Sequence, residues 1–454
     1  MDGVNSKARR HVRIAVGAGY AGDRMEPAVE LAERGELDAL VFECLAERTI
    51  ALAQWARLEG RTPGFDSLLL ERMRGTLRAA RRNGTVLVTN GGAAAPVEAA
   101  QAVGELAASM GEKCRVVAVT GDDVLDLLDF RSSPLLGGEG TLWELRDRIV
   151  SANAYLGAEG VLTALEVEPA VVVTGRTSDA ALFLAPIIHH FGWRTNDYDL
   201  IASGTLVGHL LECAGQLTGG YFADGHRKPV PGLARLGFPL AEVSADGSAA
   251  FSKLAKTGGR IDRRTCVEQL LYEVEDPRSY LTPDVIANFS QVSIEESAKD
   301  CVRVRGATGV APPATLKVSV GVNDGYVGNG EISYAGEGCL RRAQIARDIV
   351  AERWDELHGL GSIEIQSHFI GHTSCRPPHA PDTSPQEPPE VRLRLAARCL
   401  DRGAATILAR EIESLYTNGP AGGGGIETDV RGSIGIVATT IQRGEVQPKV
   451  TVVS

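Results

Sequence analysis

Apolar residues in this chain recur as short runs that stop abruptly at glycine or at a polar side chain. Val12–Val16 runs into Gly17-Ala18-Gly19-Tyr20-Ala21-Gly22-Asp23, and Ala39–Phe42 into Glu43. Thr85–Val88 leads to Thr89-Asn90-Gly91-Gly92, Cys114–Val119 to Thr120-Gly121-Asp122, and Ala170–Thr174 to Gly175-Arg176-Thr177-Ser178-Asp179. Continuous β-branched runs of this length predict strands buried on both faces. Helical stretches lie between them: Pro27–Arg34, Leu45–Glu59, Ser67–Asn83, Pro96–Met110, Leu142–Leu156 with Val161–Leu165, and Ala180–His190. The alternation predicts an α/β fold, a largely parallel Rossmann-like sheet flanked by helices. Strand ends in such a sheet converge on one edge, where ligands bind.

Beyond Gly232 the pattern shifts to short strands and glycine turns. The last third reads as strands Leu316–Val322 and Tyr326–Tyr334, helix Cys339–Leu357 and strand Ser362–Phe369. A Pro-rich linker Cys375–Pro389, strand Val391–Arg398, helix Ala404–Tyr416 and strand Gly432–Ile441 follow. We expect two domains, residues 1–357 and a smaller α+β, ferredoxin-like domain at 358–454.

Composition narrows the function classes. A formal net charge of -11 argues against nucleic acid as partner. No apolar run is long enough to span a membrane, and no apolar leader follows the basic N-terminus, so a cytoplasmic protein is expected. The eight cysteines contain no Cys-x-x-Cys pair, against a zinc ribbon or redox dithiol. Cys213 reads as a buried, inert thiol.

Candidate chemistry gathers at the strand ends. Gly17, Gly19 and Gly22 have dinucleotide-fingerprint spacing, and Glu43 follows about 20 residues on. Asp23-Arg24 places an anion where pyrophosphate would sit, against a nucleotide cofactor. The other reading is a glycine loop that brings substrate close to backbone. His209 and Glu212, three apart, suit proton transfer, a metal site, or a helix-interface hydrogen bond. Arg176 suits binding of a carboxylate. Asp179 suits a general base or a helix cap. Glu43, Asp23, Asn90 and Asp122 share the strand-end position, where paired carboxyls would raise one pKa. Each alone could equally be a turn residue.

Several motifs in order resemble the acyclic terpene utilisation (AtuA) family. They are Gly17-Ala18-Gly19-Tyr20-Ala21-Gly22-Asp23-Arg24, Thr89-Asn90-Gly91-Gly92, Val119-Thr120-Gly121-Asp122-Asp123 and Thr174-Gly175-Arg176 with Ser178-Asp179. Further on come His209-Leu210-Leu211-Glu212-Cys213, Thr218-Gly219-Gly220-Tyr221-Phe222, Tyr280-Leu281-Thr282-Pro283-Asp284 and Gly330-Glu331-Ile332-Ser333-Tyr334. The resemblance implies a role in catabolism of branched acyclic terpenoids through acyl-CoA thioesters, and carries over no residue roles. The expectation is therefore a lyase, a hydratase of a branched unsaturated acid or its acyl-CoA thioester. Alternatives are a C–C lyase of a 3-hydroxyglutaryl-type thioester and a non-catalytic acyl-CoA-binding or partner subunit. His209, Glu212, Asp179 and Arg176 are the catalytic candidates. Gly19, Asp23, Glu43, Asn90, Gly91, Gly92, Asp122, Gly175 and Tyr221 are the substrate-binding candidates, with backbone N–H groups near Gly91-Gly92 or Gly175 for an enolate oxygen. No cofactor is certain; a divalent metal on Glu43, Asp179 or His209 is an option. A homo-oligomer is the default for such an enzyme.

Overall fold

A computed structural model describes residues 11–375 and 388–454. The chain divides into two compact units, one running up to Gly321 and including Ile436–Ser454, the other Val322–Gly435. This differs from the expected division at 357, for three reasons. The helix Cys339–Glu356 packs on strand Glu390–Cys399. The strand Thr315–Ala335 runs unbroken across the change of unit. The last strand, Lys449–Val452, pairs with Val116–Thr120 of the first sheet.

The first unit is α/β, with a ten-stranded sheet. Its order is Ser293–Ala298, Cys301–Arg305, Ala249–Lys253, Pro239–Ser244, His11–Ala18, Ala39–Phe42, Val86–Thr89, Val171–Thr174, Val116–Thr120, Lys449–Val452. The five strands from His11–Ala18 to Val116–Thr120 are parallel; the rest join antiparallel at both sides. Parallel strands are covered on both faces, and Leu40, Val41, Val172 and Val173 are fully buried. Helices Glu26–Arg34, Leu69–Asn83 and Pro96–Ser109 form one packed series; Glu159–Leu165, Asp179–Phe191 and Tyr198–Leu211 form another. Strand order advances across the sheet as far as Val116–Thr120, then steps back to Val171–Thr174. Right-handed crossovers therefore put the two helix series on opposite faces. The Asp179–Phe191 helix is apolar all round because sheet and neighbouring helices enclose it.

Two sequence readings fail locally. Leu142–Leu156 is not one helix: a short 3-10 turn, Leu142–Arg148, is capped reciprocally by Thr141 and Glu144. Then Ile149–Ala154 forms a strand that pairs with the strand beginning at Thr315. Likewise Asn323-Asp324-Gly325 is not a turn between two strands. Gly325 takes φ +80° inside the continuous strand, its N–H donating to Asn323 Oδ1 at 2.9 Å.

The second unit is a smaller α+β layer. Its sheet runs Ile365–Ile370, Glu390–Cys399, Thr315–Ala335, Gly424–Gln442, with helices Cys339–Glu356 and Arg402–Asn418 packed on it. Glu411 joins the two helical segments, accepting from Arg353 Nη2 at 3.1 Å and facing His358 Nε2 at 2.7 Å. Most of the expected Pro-rich linker and the basic N-terminus lie outside the described residues.

Candidate functional site

The first unit carries a cavity of about 970 Å³ at the carboxyl ends of its parallel strands. Three of the five parallel strands deliver side chains through the turns that follow them. Gly19–Asp23 follow the first strand, Glu43–Glu47 the second, and Arg176–Asp179 the strand Val171–Thr174. Segments Glu212–Tyr221, Tyr272–Pro283 and Pro313–Lys317 supply further wall residues.

Arg176 is the centre of the charge network. It is 1% exposed, and its guanidinium donates to Asp179 Oδ1 and to the Leu45 carbonyl. Its carbon Cζ stands 4.3 Å from the Tyr155 ring centroid. Asp122 holds the Arg176 backbone, accepting from its N–H at 2.8 Å and from Asn153 Nδ2 at 3.0 Å. Asp122 lies behind the cavity wall, where burial pushes its carboxyl up to about 6. A side chain at Gly175 would collide with it, at 2.5 Å.

Three carboxyls, Asp179, Glu43 and Glu47, act on this cation, and Glu212 lines the same cavity. Burial, then the charge of Asp179, raises Glu43 to about 8, against the smaller opposing pull of Arg176. Glu43 Oε1 accepts from Asn90 Nδ2 and from the Leu45 N–H, each at 2.9 Å. Asn90 is itself fully buried and fixed by the Cys44 N–H at 2.7 Å, so it orients Glu43 rather than lining the cavity. Asp179 is also raised, by burial above all, though Arg176 opposes the shift. Glu47 goes the other way. Burial alone would raise it, but hydrogen bonds from Tyr155 and its own backbone, with Lys317 and Arg176 nearby, bring it down to about 2. Glu212 is raised to about 7 by burial, with Asp179 and Glu273 adding and His209 opposing.

His209 sits behind Glu212, outside the cavity wall. Its Nδ1 is 2.9 Å from Glu212 Oε1 and its Nε2 is 3.2 Å from the Leu270 carbonyl. A carbonyl only accepts, so Nε2 carries a proton, and a further proton lies between Nδ1 and Glu212. The other Glu212 oxygen, Oε2, is buried without a hydrogen-bond partner. The Glu212 side chain lines the cavity. With both His209 nitrogens occupied, the set Glu43, Asp179 and His209 does not assemble as metal ligands. Among the described residues no three His, Cys, Asp or Glu side chains group to hold a metal ion.

The glycine loop is explained by packing. Asp23 Oδ2 accepts from the Gly19 N–H at 2.9 Å, occupying a donor that a phosphate would need. A Cβ on Gly19 would lie 2.6 Å from the Cys213 carbonyl carbon, and one on Gly17 would meet the Phe42 ring at 2.5 Å. Gly19→Ala should therefore push apart the turn after His11–Ala18 and the Cys213–Ala214 backbone. The expected cost is about 1–3 kcal/mol in chemical denaturation, with weakened ligand binding; an unchanged midpoint would show that the contact yields freely.

Gly91 and Gly92 also lie outside the cavity lining. The Gly91 N–H donates to Thr89 Oγ1 at 3.0 Å, so it does not offer itself to an enolate. Tyr221 lines the mouth, 85% exposed, at φ +58°. Cys213 lines the wall as a thiol whose pKa burial pushes up. The cavity thus brings together Gly19, Asp23, Glu43, Arg176, Asp179, Glu212 and Tyr221, and excludes His209, Asn90, Gly91, Gly92, Asp122 and Gly175. Glu47, Tyr155 and Lys317 complete it. Glu47 follows Glu43 by four residues. Tyr155 and Lys317 come from a segment read as helix and from a distant strand, with no local signal.

The family model described as acyclic terpene utilisation family protein AtuA matches residues 12–452. No curated protein and no solved structure matches. No helix among the described residues is long and apolar enough to cross a membrane.

Proposed function

We propose that this chain, which belongs to the acyclic terpene utilisation (AtuA) family, is a lyase that hydrates a branched 2-unsaturated acyl thioester in the carboxyl-lined cavity. One observation carries the reading. Glu43, raised to about 8, and Glu212, raised to about 7, face one cavity beside the Arg176–Asp179 ion pair. Carboxyls kept neutral by burial can donate a proton or a hydrogen bond, and a neighbouring carboxyl whose charged form an arginine favours can accept one.

Hydration adds water oxygen to Cβ and a proton to Cα. Asp179, its charge held by Arg176, takes the proton that water loses as its oxygen bonds to Cβ. Neutral Glu43 donates a hydrogen bond to the thioester oxygen as enolate charge develops. Glu212, hydrogen-bonded to His209 through Oε1, delivers the proton to Cα and takes one back from solvent through the cavity it lines. The proton on Asp179 returns to solvent, and the product is the 3-hydroxyacyl thioester.

Committed cations favour a thioester over a free acid. Arg176 is engaged by Asp179 and Lys317 by Glu47 at 3.2 Å, while Arg24, bonded to the neutral Leu233 carbonyl at 2.9 Å, is exposed rather than deep in the cavity. A free carboxylate deep in the cavity would meet carboxyls without an unengaged counter-charge. The same point disfavours cleavage of a 3-hydroxyglutaryl-type thioester, whose distal carboxylate needs such a partner.

The test is a hydration assay on branched 2-enoyl thioesters. Wild type should form the 3-hydroxy product. Glu212→Gln should lose about 10²–10⁴-fold in kcat while binding the thioester as before. Binding without turnover by wild type across the series would point instead to an acyl-CoA-binding or partner subunit.

A further inference from the structure

Beside the carboxyl-lined cavity lies a second one of about 370 Å³. The two share three wall residues, Glu47, Leu136 and Lys317. The rest of the second wall is mainly small or apolar: Leu135, Gly137, Gly138, Ile436, Val437 and Ala438. The charged pair on the shared wall is mutually neutralised, with Lys317 Nζ 3.2 Å from Glu47 Oε1. So the second cavity offers a ligand apolar surface and no unengaged charge.

Leu136 stands where the cavities join. It sits on a small hairpin closed by a bridge between Pro134 and Thr141 and turned at Gly137, φ +74°. The Leu136 N–H donates to the Ala438 carbonyl at 2.8 Å, which ties the hairpin to the adjoining segment 436–438 of the same cavity wall. Its side chain remains 48% exposed.

We propose that the second cavity receives the distal hydrocarbon of a ligand whose acyl head lies among the carboxyls, and that the Leu135–Gly138 hairpin sets the chain length accepted. This rests on the reading of the first cavity as the seat of the acyl head. Burying a hydrocarbon chain is favourable in proportion to its area and needs no directed partner. Length selection then follows from where the apolar wall ends.

Gly138 gives a clean test. Its φ is not positive, and an added Cβ would meet only Leu135 Cβ, at 3.9 Å. Gly138→Leu adds bulk at a residue that lines the second cavity and not the first, and Ala438→Leu does so from the adjoining strand. The full chain is titrated calorimetrically with straight-chain saturated acyl-CoA thioesters, butanoyl to dodecanoyl, and with the matching free acids. Saturated chains cannot be hydrated, so binding is read apart from turnover, and failure of the hydratase proposal leaves this result standing.

Wild-type affinity should rise with length by up to about fourfold per methylene. Both variants should bind the butanoyl member as wild type does and lose the rise. A rise confined to the free acids would support the chain cavity and overturn the thioester head. Wild-type affinity independent of length in both series, or a rise that survives both variants, would overturn the inference.

Discussion

Arg176→Met should be the most damaging single substitution in the first unit. The guanidinium is 1% exposed and holds Asp179, the Leu45 carbonyl and the face of Tyr155 at once. Removing it leaves the Asp179 charge without its partner, beside Glu43 and Glu47. Breaking one side of a buried pair costs about 3–5 kcal/mol. The lower end applies here, because 39% of the Asp179 side chain is accessible. Turnover should vanish with it, since Asp179 loses the neighbouring charge that opposes the upward push of burial on its carboxyl. Arg176→Met combined with Asp179→Asn should recover part of the lost stability and none of the activity, a coupling that denaturation of the four proteins measures. A single variant within about 0.5 kcal/mol of wild type would show that Arg176 does not hold the charge network together.

The second large effect is on the pH dependence of stability. Glu43 has an ordinary carboxyl value of 4.5 when unfolded and about 8 when folded. Between these values the folded state holds a proton that the unfolded state has released. Stability therefore falls as pH rises through that window, by as much as about 1.4 kcal/mol per pH unit. The contribution is fully present below pH 4.5 and lost once pH passes about 8. Glu212, at about 7, and Asp122, at about 6, act in the same direction over narrower windows. Glu43→Gln mimics the neutral acid and removes this dependence. At about pH 5 the variant should match wild type, and at about pH 9 it should be more stable by a few kcal/mol. Gln still offers an N–H to the thioester oxygen, so activity should drop less than in Glu43→Leu, where about 10²–10³-fold is expected. Parallel stability curves for wild type and Glu43→Gln from pH 5 to 9, about the range in question, would contradict the raised value.

The parallel centre of the sheet was legible because its strands are short β-branched runs ended by glycine or a polar group. That grammar does not mark Ile149–Ala154, which follows a polar helical turn and gains its pairing only from the distant strand at Thr315. Nor does it separate a turn from a distorted strand at Gly325. For the site, position at a strand end found Glu43, Asp179 and Asp23, because convergence there is a property of topology. It could not tell cavity from wall. Asn90 and Asp122 have the same sequence setting as Glu43, yet each turns inward to fix a neighbour. The His209–Glu212 spacing correctly joined the pair on one helical stretch, but only the packing against Leu270 shows that the imidazole lies outside the cavity lining. Tyr155 and Lys317 meet Glu47 across more than a hundred residues of sequence.

The proposed chemistry depends most on a neutral carboxyl at Glu43 in neutral solution. Infrared difference spectra of wild type against Glu43→Gln, titrated in deuterated buffer, read the protonated carboxyl stretch directly. We predict a band present in wild type at about pH 7, absent from the variant, that disappears on passing about 8. A spectrum in which Glu43 is already ionised at about pH 6 would contradict the proposed chemistry of the cavity.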